Sequence, residues 1–324
     1  ESDFVPLTVA EATVWTDDHP APSGAAVGDA HEVSILRLAA RDSDRRMEAL
    51  IPHTEADIDD FRRIVGGGWS TILGRHLSQV GEVRFTESDH GEIGATRYQL
   101  GYLDQANDGE QIPVIRVRPQ GRLKSKRILV WIDDSGKSGL LDRGGWIEPV
   151  QTVLDKGYQV LAADLFGQGE FVSDKQNWQS QPMWYQRDAA DGWQRFSGYT
   201  YGYNHPLFVK RMHDILSLIQ FAADESETVH LVGLGKTAGP LVAAARSQAD
   251  TAVDQTFIDL DDFRFQSLTR HDDPMFVPGA VKYLDVAGLI ALSTPARLSV
   301  AGVHDDATVD QVYRAANSGD ALSR

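Results

Sequence analysis

The sequence predicts an α/β fold: a mostly parallel sheet flanked by helices, with an N-terminal helical extension. Three observations predict it. The run Arg127-Ile128-Leu129-Val130-Trp131-Ile132 is almost continuously apolar, as a strand buried on both faces must be. After it, one unit recurs to the end of the chain: helix, strand, polar turn. The chain has 324 residues, 42% hydrophobic and 24% charged, enough to bury one large core with an extension.

Residues 1–80 form the expected helical and loop extension. Thr16-Asp17-Asp18-His19-Pro20-Ala21-Pro22-Ser23-Gly24 is polar and Pro-rich, hence a loop. Helical periodicity follows in Val33–Arg41 and in Ile58–Val65, the second closed by Gly66-Gly67-Gly68. Residues 81–324 form the expected α/β domain. Glu82–Phe85, Ala95–Tyr102 and Ile112–Val117 alternate as antiparallel strands do, with turn residues in Gln105–Glu110.

The apolar run then ends in Asp133-Asp134-Ser135-Gly136-Lys137-Ser138-Gly139. Ile147–Lys156 is a helix, and Gln159–Ala163 a strand ending in Asp164-Leu165-Phe166-Gly167-Gln168-Gly169-Glu170. Pro206–Ala223 is an amphipathic helix with Val209, Met212, Leu216 and Ile219 on one stripe, His213 beside them as a satisfied core residue. Thr228–Val232 is a strand ending in Gly233-Leu234-Gly235-Lys236-Thr237-Ala238-Gly239, followed by a helix over Pro240–Ser247. Gln255–Leu260 and Arg297–Ala301 are strands ending in Asp261-Asp262 and in Gly302-Val303-His304-Asp305-Asp306, and Val309–Ala316 is the last helix. Ligands of such sheets bind beyond the carboxyl ends of the strands, so these polar turns are where chemistry is expected. Gln176–Thr200 carries aromatic residues without periodicity and is expected to be a lid insertion with its own small core or a platform for sugar rings.

Composition excludes several classes. With 47 acidic residues against 31 Lys and Arg the formal net charge is −16, which repels a phosphate backbone, and no basic patch opposes it; nucleic acid is not an expected partner. No apolar run reaches the roughly 18 residues a membrane helix needs. The absence of Cys excludes thiolate catalysis and Cys-based metal sites. The chain opens at Glu1 without Met and without a signal-peptide pattern, which suggests a processed or excised segment.

Taken as an ordered set, Asp164–Glu170, the turn Gly233–Gly239, the stretch Pro278–Asp285 and Leu289–Leu298 resemble the α/β-hydrolase superfamily, in its acetylxylan-esterase-like branch with dienelactone-hydrolase relatives. The resemblance covers roughly residues 80–324. It implies a carboxylic ester hydrolase fold acting on or binding acylated carbohydrate, with no cofactor or metal, in a secreted or periplasmic setting. It places the acid of the site at Asp305, three residues after Gly302, with His304 beside it. It places Ser135 in the turn that supplies an oxyanion N–H, as a replacement nucleophile, and Asp134, Gly235, Lys236 and Thr237 around the ligand.

Two departures bear on activity. The family's elbow, Gly-x-Ser-x-Gly, lifts a serine above the sheet; here Gly235 stands in the serine position and has no nucleophile. Thr237, central if the frame is shifted by two, is expected to cap the helix instead. No histidine follows His304 before Arg324, so either the last strand is lacking or the domain has no working base. The alternative is therefore a catalytically inactive module that binds a small-molecule or carbohydrate ligand, or packs against another domain of the same polypeptide. Gly235-Lys236-Thr237 also suggests a phosphate loop, but the glycine required five residues earlier is His230. His271-Asp272-Asp273-Pro274 is expected to be a turn rather than a cation site.

Overall fold

The computed structural model describes residues 5–24, 27–107, 109–121, 126–172, 178, 180, 201–303 and 306–324, and the backbone of 185–188 and 192–195. Two compact units emerge, Glu1–Arg46 and Met47–Arg324. The first contains most of helix α1 (Asp29–Glu48), opened by Asp29 and Glu32 and closed by Arg45 and Arg46, charges that suit the two ends of the helix dipole. Val33, Ile35, Leu36 and Leu38 of α1 are exposed.

The second unit is built on a 9-stranded sheet. Its strands are β1 (Val83–Ile93), β2 (Thr96–Gln105), β3 (Glu110–Pro119), β4 (Arg127–Asp133), β5 (Gln159–Ala163), β6 (Thr228–Leu234), β7 (Gln255–Asp259), β8 (Arg297–Ala301) and β9 (Leu322–Ser323). The spatial order is β1-β2-β3-β5-β4-β6-β7-β8-β9. The first three strands form an antiparallel meander, and β3 is antiparallel to β5. From β5 onward every pairing is parallel, including Leu298 of β8 with Leu322 of β9.

Helices cover both faces. Along β4, Ile128, Val130 and Ile132 enter one core while Leu129 and Trp131 enter the other. That is the period-2 alternation of a strand with no solvent face, and it explains why the sequence there is uninterruptedly apolar. One core is completed by α3 (Glu148–Asp155) through Val150 and Leu154. The larger core takes in α4 (Leu207–Glu225), α5 (Ala238–Ser247), α6 (Asp285–Ala291) and α7 (Asp306–Ala315).

Residues 47–80, grouped by sequence with the extension, also contribute to the larger core: Val65, Trp69, Leu73 and Val80 are fully buried in it. Here the structure corrects one sequence expectation. The three glycines do not close the helix; it passes through a π turn at Arg62–Gly66 and continues as α2 (Gly67–Leu73). Gly68 serves close packing, because a β-carbon there would lie 2.4 Å from the Tyr283 ring. The helix stops at Gly74, where φ is +67°, the left-handed end that glycine adopts without strain. No helix among the described residues is long and apolar enough to cross a membrane.

Candidate functional site

The parallel strands β4, β6 and β7 end side by side, and their turns line a cavity of about 660 Å³. At its base lies the turn from β6 into α5. Gly235 sits there with φ +114°, a conformation that side chains rarely adopt. Its N–H donates to the carbonyl of Asp259, and its own carbonyl accepts from Gly239. Gly233 and Gly239 let the strand and helix approach: a β-carbon on Gly239 would lie 2.2 Å from the Asp259 carbonyl oxygen, and one on Gly233 2.5 Å from Val242.

The start of α5 is capped from outside its own segment. Thr237 occupies the N-cap position, but its side chain makes no capping bond. Asp134, at the end of the neighbouring β4, does so instead: its Oδ1 accepts the Ala238 N–H at 2.7 Å, and the Thr237 N–H also donates to this carboxylate. Loss of hydration pushes the Asp134 carboxyl up, and these two N–H donors pull the other way. A β-carbon on Gly235 would lie 3.0 Å from Asp134 Oδ2, so this carboxylate stands against the place where a side chain at position 235 would project.

The turn after β5 is held by buried charges. Asp164, 3% exposed, accepts the N–H groups of Lys137 and Glu170 and pairs with the Lys137 ammonium at 2.5 Å. On α4, Arg211 Nε donates to the Phe166 carbonyl at 2.9 Å, while Asp214 accepts the Phe166 N–H at 2.7 Å. The backbone of Phe166 is thus held at both its polar groups, which belong to successive peptide units. Burial pulls the Arg211 guanidinium down to about 10 and pushes the Asp214 carboxyl up to about 8. Arg211 lines the cavity, and its Nη2 is buried without a hydrogen-bond partner.

The opposite wall comes from the turn after β7. Asp261 and Asp262 both have left-handed φ, +47° and +57°. Consecutive non-glycine residues in that region store strain, a feature concentrated at binding sites. Asp261 forms an exposed ion pair with Lys236 at 3.4 Å, and the Asp262 N–H reaches the Gly302 carbonyl at the end of β8. Trp178 also lines the cavity, its ring nearly perpendicular to that of Phe166, with centroids 5.3 Å apart.

No protein-family model and no curated protein matches the sequence. Solved structures do match. A Bacteroides fragilis protein assigned as an acetyl xylan esterase superposes with a TM-score of 0.56 at 12% identity, over 82% of this chain and 75% of that one. Methylesterase BT1017 superposes with a TM-score of 0.55 at 14% identity, over 87% of this chain and 62% of that one. This chain has the α/β-hydrolase fold.

In this structure the turn Gly233–Thr237 joins β6 to α5 with Gly235 at its bend, and the segment after β4 lies against it. Asp134, Lys236 and Thr237 line the cavity together, and Gly235 lies beneath Asp134. Ser135 is exposed on the same loop; its N–H donates to Asp133 and its carbonyl accepts from Ser138. His304 and Asp305 lie outside the described residues, as does most of the expected lid. The expectation that Thr237 caps α5 is corrected, since the cap is Asp134. In the His271–Pro274 turn, Asp272 pairs with Arg270 and Asp273 accepts the Met275 N–H.

Sequence reasoning passed over Arg211 and Asp214. The signal was present: a charged pair three residues apart, inside a helix whose neighbouring positions Val209, Met212, Ile215 and Leu216 are all buried. Charges on an apolar helix stripe must have partners, and here the partner is backbone from another turn.

Proposed function

We propose that this chain is a ligand-binding member of the α/β-hydrolase fold that receives an acylated carbohydrate in its strand-end cavity without forming an acyl-enzyme at its elbow. One observation carries the reading. Gly235 offers no nucleophile, and the Asp134 carboxylate already engages N–H groups of Thr237 and Ala238 beside the position where the oxyanion of an acyl-transfer intermediate would need donors. A second negative charge at that point is disfavoured by the first.

The cavity suits a polyhydroxylated ligand. Asp134, Asp261 and Asp273 are acceptors for sugar hydroxyls, Lys236 and Arg211 are donors for an acyl carbonyl, and the Trp178 ring provides a flat apolar face. Likeness in fold to proteins named as acetyl xylan esterase and methylesterase supports the choice of an acylated sugar over other polyols.

The test pairs a rate with a binding measurement. Hydrolysis of an aryl acetate by the purified chain is expected to equal the buffer blank, while acetylated xylo-oligosaccharide raises the melting temperature, an increase that Asp261→Ala diminishes. Turnover that disappears in Ser135→Ala, Thr237→Ala or Asp305→Asn would overturn the inactive reading in favour of an esterase with a displaced nucleophile. Neither turnover nor a thermal shift would remove carbohydrate as the ligand class.

A further inference from the structure

A second cavity, of about 780 Å³, opens at the other end of the parallel strands. Its residues precede β7 and β8, or lie on the helical run around Arg62–Ser70. Asp254 directly precedes β7 and Ala296 directly precedes β8, so a full strand length separates this cavity from the elbow. At about 3.3 Å per residue that distance is on the order of 15 Å.

Its charge is opposite to that of the chain. Arg62, Arg63, Arg246 and Arg297 line it against Asp250 and Asp254, in a protein whose formal net charge is −16. Asp254 accepts the Val229 N–H at 2.8 Å, Arg63 pairs with the exposed Asp60 at 2.8 Å, and Arg62 Nη2 donates to the Thr294 carbonyl at 2.9 Å. Arg246 is 5% exposed; its Nη1 donates to the Asp250 carbonyl, but its Nε is buried without a partner. Ser293, 3% exposed on the same cavity, likewise has a buried Oγ with no partner. Neither atom has an acceptor among the protein groups around it. Val253, Leu292, Pro295 and Ala296 supply an apolar wall.

We propose that this cavity binds a small organic anion, whose carboxylate or phosphate is received by Arg246 and the arginine rim and whose carbon body lies on the apolar wall. Guanidinium groups favour planar, multidentate recognition of these oxyanions, and a volume of this size accommodates a small ligand. The site is independent of the elbow cavity, so either can fail without the other.

The test uses the whole chain. Benzoate and inorganic phosphate are titrated separately by calorimetry at fixed ionic strength, with chloride as the control anion. Saturable binding is expected at roughly millimolar affinity or better, weakened at least about tenfold in Arg246→Gln. The double variant Arg63→Glu/Arg297→Glu changes exposed charges only, so it keeps the test valid if Arg246→Gln does not fold; it too should weaken binding about tenfold. Saturation by benzoate alone identifies a carboxylate ligand, and by phosphate alone a phosphorylated one. No saturable heat with either anion, or equal affinity in wild type and the exposed-charge variant, overturns the proposal.

Discussion

Asp134 and Gly235 share one small volume, and each explains the other. A glycine at position 235 leaves room for the carboxylate just beyond β4 to reach the start of α5; that carboxylate in turn supplies the cap that Thr237 does not. Restoring serine is therefore not a repair. Gly235→Ser must hold a side chain at φ +114° and 3.0 Å from Asp134 Oδ2, so it is expected to lose about 1–3 kcal/mol of stability in urea unfolding. It should show no aryl acetate turnover above the blank; turnover would mean that Asp134 moves aside. Asp214 makes a different prediction. Burial raises its folded pKa to about 8, above its unfolded value of about 4. Across that window the folded protein keeps a proton that the unfolded chain releases, so the stability this group contributes is full below pH of about 4 and falls as pH rises towards 8. Asp214→Asn should flatten the fall in unfolding free energy between pH 5.5 and 7.5; an unchanged slope would show that the folded carboxylate is ionised.

At the scale of elements, the strands that bury an apolar pattern were legible: β5 is buried throughout, and β8 buries Leu298 and Val300. β5 and β8 have the bounds their apolar pattern predicts, Gln159–Ala163 and Arg297–Ala301. β1 runs to Ile93, well past the predicted Phe85, because most of its residues beyond Phe85 are exposed and nothing in their sequence alternates. The glycines at 66–68 misled for another reason: glycine marks a helix end when the backbone needs a left-handed turn, but it also marks a place where a ring lies against a helix, and only the tertiary neighbour distinguishes the two. The same ambiguity applies to Gly239, inside α5. Gly239→Ala would place its β-carbon 2.2 Å from the Asp259 carbonyl, backbone that cannot rotate away. A loss of about 2–3 kcal/mol is expected despite the better helix propensity of alanine, measured as a lower urea midpoint; a stabilised variant would show that α5 does not press on β7.

For the whole molecule, a net charge of −16 and an isoelectric point near 5.0 mean mutual repulsion in the folded state. Raising sodium chloride from low concentration to 0.3 M, where the screening length falls to about 6 Å, is expected to raise the melting temperature. A fall would show that specific ion pairs, such as Arg75–Glu110 at 3.0 Å, outweigh the repulsion. The core that packs around α4 is built from the larger unit, Met47–Arg324.

The sequence by itself determined the fold class, the polar turns at the strand ends, and the glycine at position 235. These are carried by local pattern: apolar runs, alternation, and the identity of one residue at position 235. Tertiary structure alone decided that Asp134 crosses from β4 to cap α5, that Arg211 and Asp214 hold the backbone of Phe166, and that arginines from two helical segments and a strand collect at the opposite end of the strands. Each joins residues far apart in the chain, where the partner's direction depends on how the strands are ordered in the sheet, and spacing along the sequence does not encode that order.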